Sequence, residues 1–447
     1  MKRRAWSFLL LTCLMLTCAS SQAAHPGLDL LLNKPFMLPD FSQEVFDELW
    51  KVWPEPLKSK AAKATAEQRR KMAFSRYGLT TRPGDSSGKP MQYVVDKRGN
   101  WTMNCLACHG GKVAGRIHPG LPNSHFALAT LTEDVGKTKL RMRKKLGRME
   151  LGSTFIPLGS TNGTTNAVMF GVSLLSLWDK NLKVRLRGFP KMVHHDMDAP
   201  AWWHYRKKRG IYIDGFAEKG HRPLMQFLLA TSNGPDKFRR YERDFVHVQN
   251  FLQSLRPPKY PFAINQALAK QGQRVFSNNC AHCHGTYGKR PSYPEKMVAI
   301  DEIGTDRVRF DALTKKHRQK YAESWFARLG GKKTKLTPAG YVAPPLDGIW
   351  ASAPYFHNGS VPTLWHVLYP KDRPKVWRRK SEDGYNQQRV GLDIEELKQM
   401  PKSVNERSKV REYFNTTKFG KSAAGHTFPE QLNHFERRAV LEYLKTL

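Results

Sequence analysis

Two short stretches constrain this chain more than anything else in it: NCLACHGGK at 104–112 and NCAHCHGTYG at 279–288. Each contains Cys-x-x-Cys-His. Two thiols three positions apart on a helical turn reach the two neighbouring vinyl groups of a porphyrin and form thioethers. The histidine that follows then lies under the iron and supplies a nitrogen ligand. A zinc ribbon would set two Cys-x-x-Cys pairs about 15–20 residues apart, far closer than Cys108 and Cys280. A dithiol redox motif has no use for the histidine. The spacing therefore predicts two covalently attached haem c groups, on Cys105, Cys108 and His109 and on Cys280, Cys283 and His284, with the two histidines as iron ligands.

The other two cysteines, Cys13 and Cys18, lie in an N-terminal stretch of secretory character. Lys2, Arg3 and Arg4 precede the apolar run AWSFLLLTCLMLTCA, and SSQAA offers small residues for cleavage after Ala23 or Ala24. Residues 1–24 thus read as a signal peptide, and the chain as periplasmic or secreted. Cys18 raises a lipoprotein alternative, but Thr17 before it departs from a lipobox. No later stretch is apolar enough to span a bilayer, so the mature chain is expected to be soluble. Every cysteine beyond the signal belongs to a haem motif, so none remains for a structural disulfide.

The expected fold class is mainly α: two cytochrome c-like haem domains with long loops and a few short β-hairpins. Residues 25–256 form an N-terminal haem domain with a large insertion, and 257–447 a C-terminal domain like class I cytochrome c. FSQEVFDELWKVW (41–53) puts Val45, Phe46, Leu49, Trp50 and Trp53 on one helical face, a core-packing pattern. PMQYVVDKRGNWTMNC (90–105) alternates around a polar turn, so the first haem motif is entered from a hairpin strand. FAINQALAKQGQRVFSNNC (262–280) is an amphipathic helix with Ile264, Leu268, Val275 and Phe276 apolar, and Gly272 permits another helix to cross closely. PEQLNHFERRAVLEYLKTL (429–447) places Leu432, Phe435, Val440, Tyr443 and Leu444 on a face. Together these resemble the crossed terminal helices of class I cytochrome c. LRPPKYPF (255–262) is the expected linker, because Pro257, Pro258 and Pro261 stop a helix.

Function turns on the far side of each iron. A site closed by protein transfers electrons; an open one binds oxygen or peroxide. For the second haem the candidates are His426, His357, Tyr369 and Met400, with His426 favoured because it lies in a loop just before the last helix. For the first haem, His118, His125, His194 and His195 are present, and nothing marks one as a ligand. Asn162, Asn166 and Phe170 are candidates for its open side. Trp202 and Trp203 lie on a path between the haems or pack as core aromatics.

Two Cys-x-x-Cys-His units a domain apart, followed by APYFHNGSVPTL (353–364), resemble the bacterial di-haem cytochrome c peroxidase superfamily. GLTTRPG, MQYVVDKRGNWTMNCLACHGG, DAPAWW and the late Gly-His before the last helix are closest to its rubber-oxygenase-like branch. The resemblance implies a reactive haem on Cys105, Cys108 and His109. It implies an electron-transfer haem on Cys280, Cys283 and His284, with His426 as its second axial ligand. The chain departs from the peroxidases in lacking a methionine shortly after the PYFHNGS loop.

The formal net charge is +36. KTKLRMRKKLGR (137–148), RKKR (206–209) and WRRK (377–380) are the densest runs. Export and haem attachment argue against nucleic acid as the partner. The field suits an acidic electron-transfer protein or an anionic membrane surface, while each run taken singly is a solvated face. Two function classes follow. One is a di-haem oxidoreductase that uses peroxide or dioxygen as oxidant; the other is a di-haem electron carrier with no substrate of its own. A haem-bearing sensor has no supporting feature.

Overall fold

The computed structural model describes residues 25–185, 190–327 and 334–447; the signal sequence expected at 1–24 lies outside them. The elements that position the site are as follows in chain order. The N-terminal half holds helix α1 (Pro26–Asn33), strand β1 (Phe41–Ser42), α2 (Ala66–Tyr77), β2 (Tyr93–Val95), β3 (Asn100–Met103), α3 (Leu106–His109), α4 (Leu128–Arg141), α5 (Arg148–Phe155) and α6 (Ala167–Ser176). The long helix α7 (Pro235–Ser254) leads through an irregular stretch into α8 (Gln266–Asn279) and α9 (Ala281–His284). Strands β4 (Met297–Ala299), β5 (Gly340–Val342), β6 (Val376–Arg379), β7 (Ile394–Leu397) and β8 (Tyr413–Asn415) follow, and α10 (His434–Leu444) closes the chain.

The hairpin expected at 90–105 is present. β2 pairs antiparallel with β3 in the register Tyr93↔Met103, and β1 adds to the other side of β3 at Phe41↔Trp101. Asp96 accepts the backbone N–H groups of Arg98 and Asn100, which fixes the turn. Trp101 stacks between Phe41 (5.4 Å) and Phe46 (4.4 Å). Val45, Phe46, Leu49 and Trp53 are buried as the helical pattern requires. β3 therefore delivers the chain into α3 already anchored on a core. Leu106 joins a cluster with Met91, Phe238 and Phe245, whereas Ala107 joins the Phe41–Trp101 cluster, so the motif is wedged between two cores.

α8 is capped by Asn265, whose side chain accepts from the Leu268 N–H. α10 begins with a capping box of Asn433 and Glu436. The two helices cross at Gly272, where a Cβ would come within 1.9 Å of the Ala439 carbonyl oxygen. Only glycine permits that approach. Phe276 and Tyr443 pack at 5.3 Å beside the crossing. Phe435, expected on the buried face of α10, is instead 58% exposed. Leu432, Val440, Tyr443 and Leu444 carry the contact, and Phe435 lies off their stripe. The prolines after α7 end it at Ser254 as expected.

The architecture is mixed rather than mainly helical: 41% helix and 13% strand, in several small antiparallel sheets. β6 is the centre of one such sheet, between β7 and β8. The strand content comes largely from the two long segments that follow the haem motifs, where short strand pairs alternate with helices such as α4 to α7. Nor are the basic runs wholly solvated. Lys139 is buried against Glu150 at 2.9 Å, and Arg379 is half-buried and bonded to Ser124 and His125. No helix among the described residues is long and apolar enough to cross a membrane.

Candidate functional site

α3 and α9 are single helical turns that bring each Cys-x-x-Cys-His to one wall of a shared internal cavity of about 720 Å³. Cys105, Cys108, His109, Cys280, Cys283, His284 and His426 all line it. The cysteines are free in the sense that no disulfide joins them. Burial pushes the Cys105 and Cys280 thiols up to about 11 and Cys108 to about 12.

Both motif histidines are held in the same way. His109 Nδ1 lies 3.1 Å from the Pro200 carbonyl oxygen, and His284 Nδ1 lies 2.9 Å from that of Pro344. A carbonyl can only accept, so Nδ1 carries the proton and Nε2 presents its lone pair. Burial lowers the pKa of both rings, that of His109 to about 4, so they remain neutral at pH 7. A neutral imidazole with its distal nitrogen free and its other nitrogen oriented by a carbonyl is what iron ligation needs.

The two sites differ on the opposite side. His284 faces His426, with ring centroids 6.2 Å apart. A metal-bound imidazole nitrogen lies about 2.0–2.1 Å from its metal, and the ring centroid about 1.1 Å beyond, so two imidazoles sharing one metal put their centroids about 6.3 Å apart. The pair thus has the span of two axial ligands. Burial pushes His426 down to about 3, and its Nδ1 has no partner. Its backbone is in the left-handed region at φ +48°, a conformation that costs roughly 1 kcal/mol or more and marks an over-determined position. The constraints are visible. The His426 N–H donates to the Ile303 carbonyl at 2.7 Å. Arg373 donates to the carbonyls of Ala423 (2.6 Å), Gly425 (2.7 Å) and His366 (2.9 Å) and lies 4.9 Å over the Phe356 ring. Burial lowers the Arg373 guanidinium to about 10, which leaves it charged at neutral pH. Three charge-assisted hydrogen bonds converge on this side chain. Arg373→Ala is expected to lower stability by roughly 3 kcal/mol and to loosen the His426 loop, as read by denaturant unfolding.

Of the other candidates for this position, His357 lines the cavity but packs against Tyr341 at 4.8 Å. Tyr369 is hydrogen-bonded to His434, and neither it nor Met400 lines the cavity. On the first site, none of His118, His125, His194 and His195 reaches the cavity. His125 accepts from Arg379, and His195 bonds the Val193 carbonyl. Among the described residues, the ring stacked beside His109 is Trp202, at 4.5 Å and 22°. The wall beyond is apolar and comes largely from α6. Asn166 and Phe170 line it, whereas Asn162 turns away and its N–H bonds the Arg411 carbonyl.

The two histidine-holding loops touch. Trp203, next to Trp202, donates its indole N–H to the Asp347 carbonyl at 2.7 Å, and His204 Nε2 lies 2.8 Å from the same oxygen. Asp347 is three residues beyond Pro344. Trp203 is also buried against Trp350 and Leu346 in the C-terminal core, so it packs and connects at once. Pro200, Pro344, Asp347 and Arg373 carry no local motif of their own. An Ala-Pro step precedes both carbonyls, at 199–200 and 343–344, but it also occurs at 353–354, so it does not single them out.

A family model described as RoxA-like, cytochrome c-like matches residues 340–378. That stretch contains β5, the Pro344 carbonyl, the PYFHNGS loop and Arg373. It supports the rubber-oxygenase-like branch of c-type cytochromes, and a cytochrome c-like domain implies covalently bound haem c. The chain is also similar to two proteins of Sinorhizobium fredii. It is 29% identical to the uncharacterized protein y4iM over 257 residues, 51% of this chain and 56% of the relative. It is 27% identical to the uncharacterized protein y4iJ over 267 residues, 45% of this chain and 43% of the relative. The chain thus spans about half the length of each.

Proposed function

We propose that this chain is an exported di-haem c-type cytochrome that works as an oxidoreductase. Cys105 and Cys108 anchor one haem with His109 as its proximal ligand. Cys280 and Cys283 anchor the other between His284 and His426. The first haem takes a small oxidant, peroxide or dioxygen, and the second relays electrons. Haem c supplies the redox chemistry when bound; the chain's residues decide which iron is accessible.

The observation that carries this reading is the asymmetry between the sites. His284 has an imidazole opposite it at 6.2 Å. His109 has no such counterpart among the described residues. On the first site, α6 lines the cavity with apolar side chains including Phe170, a lining that suits a small uncharged molecule. Trp202 fixes the plane of the His109 imidazole by stacking on it. The Trp203–Asp347 bond joins the loop that holds His109 to the loop that holds His284, a short route for an electron. The net charge of +36 favours an acidic redox protein as electron partner and gives the chain affinity for anionic membrane surfaces. The two haem domains meet near residue 256.

Low-temperature EPR and optical spectra of the oxidised protein test the assignment. A high-spin signal beside a low-spin one is expected, with the high-spin component responding to peroxide or cyanide. Two low-spin signals that ignore both ligands would leave an electron carrier without its own substrate.

A further inference from the structure

Three polar atoms in the same wall of the cavity are buried without a partner: Thr305 Oγ1, Arg309 Nε and His357 Nε2. Unsatisfied buried donors are rare and costly, about 1–3 kcal/mol each and more for a charged group. Three facing one cavity mark a ligand. We infer that Thr305, Arg309 and His357 form the seat of the carboxylate groups of the haem held on His284, an inference that rests on the di-haem reading above.

Position assigns the seat to the second haem. The Ile303 carbonyl, two residues before Thr305, accepts the His426 N–H. Gly425 packs directly on Gly304 and Thr305. Phe356, next to His357, has its ring 6.1 Å from that of His426. All three donors therefore sit on segments that touch the His426 loop.

Charge assigns the ligand. Arg309 is 1% exposed, and its two terminal nitrogens grip Asp214 at 2.7 and 3.1 Å. The same carboxylate takes Arg318 at 2.7 Å. One carboxylate thus serves two buried guanidinium groups. Of the other acids nearby, Asp306 accepts the backbone N–H groups of Val308 and Ser422, and Glu302 and Asp198 line the cavity elsewhere. Lys208 adds a further cation to the cavity lining. Arg309 thus keeps one donor of a charged group, its Nε–H, free beside the cavity, and a charged donor bonds most strongly to an anion. The anionic groups of a haem are its two peripheral carboxylates. Asp214 fixes the Arg309 guanidinium through its two terminal nitrogens and leaves Nε as the free donor.

The test is spectroelectrochemical titration of both haems, with resonance Raman of the carboxylate bending modes, on the holoprotein and on Arg309→Gln, Arg309→Lys, Thr305→Val and His357→Phe. Removing the Arg309 charge is expected to lower the second haem's potential and leave the first unchanged, and lysine restores most of the shift. Thr305→Val and His357→Phe each move a carboxylate band of the second haem. If Arg309→Gln does not fold, these two decide. Unchanged potentials and bands would overturn the assignment. So would a response that appears only with added phosphate or acetate and vanishes on dialysis, which would give the seat to a free anion. Peptide masses showing no haem on Cys280 and Cys283 would instead sink the di-haem reading beneath it.

Discussion

His426→Ala is expected to abolish the low-spin signal of the second haem and convert it to a high-spin, ligand-accessible centre. Both motif histidines are neutral and held by a carbonyl, so the difference between the sites lies on the opposite side. There His426 spans 6.2 Å to His284. Truncation to alanine removes the imidazole without removing the loop that carries it, since Arg373 and the Ile303 carbonyl hold that loop by its backbone. His426→Met should keep six ligands and raise the potential, because a thioether favours the reduced iron more than an imidazole does. Axial ligand choice moves haem potentials over about 0.8 V, so the shift should be large. EPR and redox titration of the two variants check this. A low-spin spectrum unchanged in His426→Ala would show that another residue, His357 first among them, closes the second haem.

The second large effect concerns folding. Replacing Cys280 and Cys283 together with alanine is expected to halve the haem content and to destabilise the whole chain. Cys280, Cys283 and His284 line the same cavity as the buried Phe276, Leu346, Val440 and Leu444, so a haem attached there would be part of the C-terminal core. The double variant should unfold at markedly lower denaturant concentration and be cut readily by protease in 262–447. Unaltered unfolding with half the haem would mean that the C-terminal core is self-sufficient.

What the sequence made legible was local. Cys-x-x-Cys-His is readable because both thioethers and one ligand fall within a single turn. The 93–103 hairpin is readable from alternation, and the α8–α10 crossing from Gly272. What it hid was long-range. The acceptor for His109 lies 91 residues away and that for His284 lies 60 away, and a backbone carbonyl leaves no mark on residue identity. His426 was chosen among four candidates by its position before a helix; its facing of His284 is set by Arg373 and Gly304, which no periodicity connects to it. Phe435 was misplaced because a helical stripe read from hydrophobicity alone includes any aromatic near its edge. Arg379 and Lys139 were read with solvated runs because charge density says nothing about which member turns inward.

The separation of anchors from acceptors has a consequence for how such a chain can change over time. Each Cys-x-x-Cys-His grip is completed by a distant carbonyl, that of Pro200 or Pro344, which orients its histidine. Between grip and carbonyl, exposed turns such as those at Gly115 and Gly288, where an added Cβ would meet nothing, line no part of the cavity and can lengthen or acquire new surface, whereas Ile303, Thr305 and Arg309 must keep their places. The two grips and the segments that meet them tolerate little change, and the exposed turns around them are where new surface can be added.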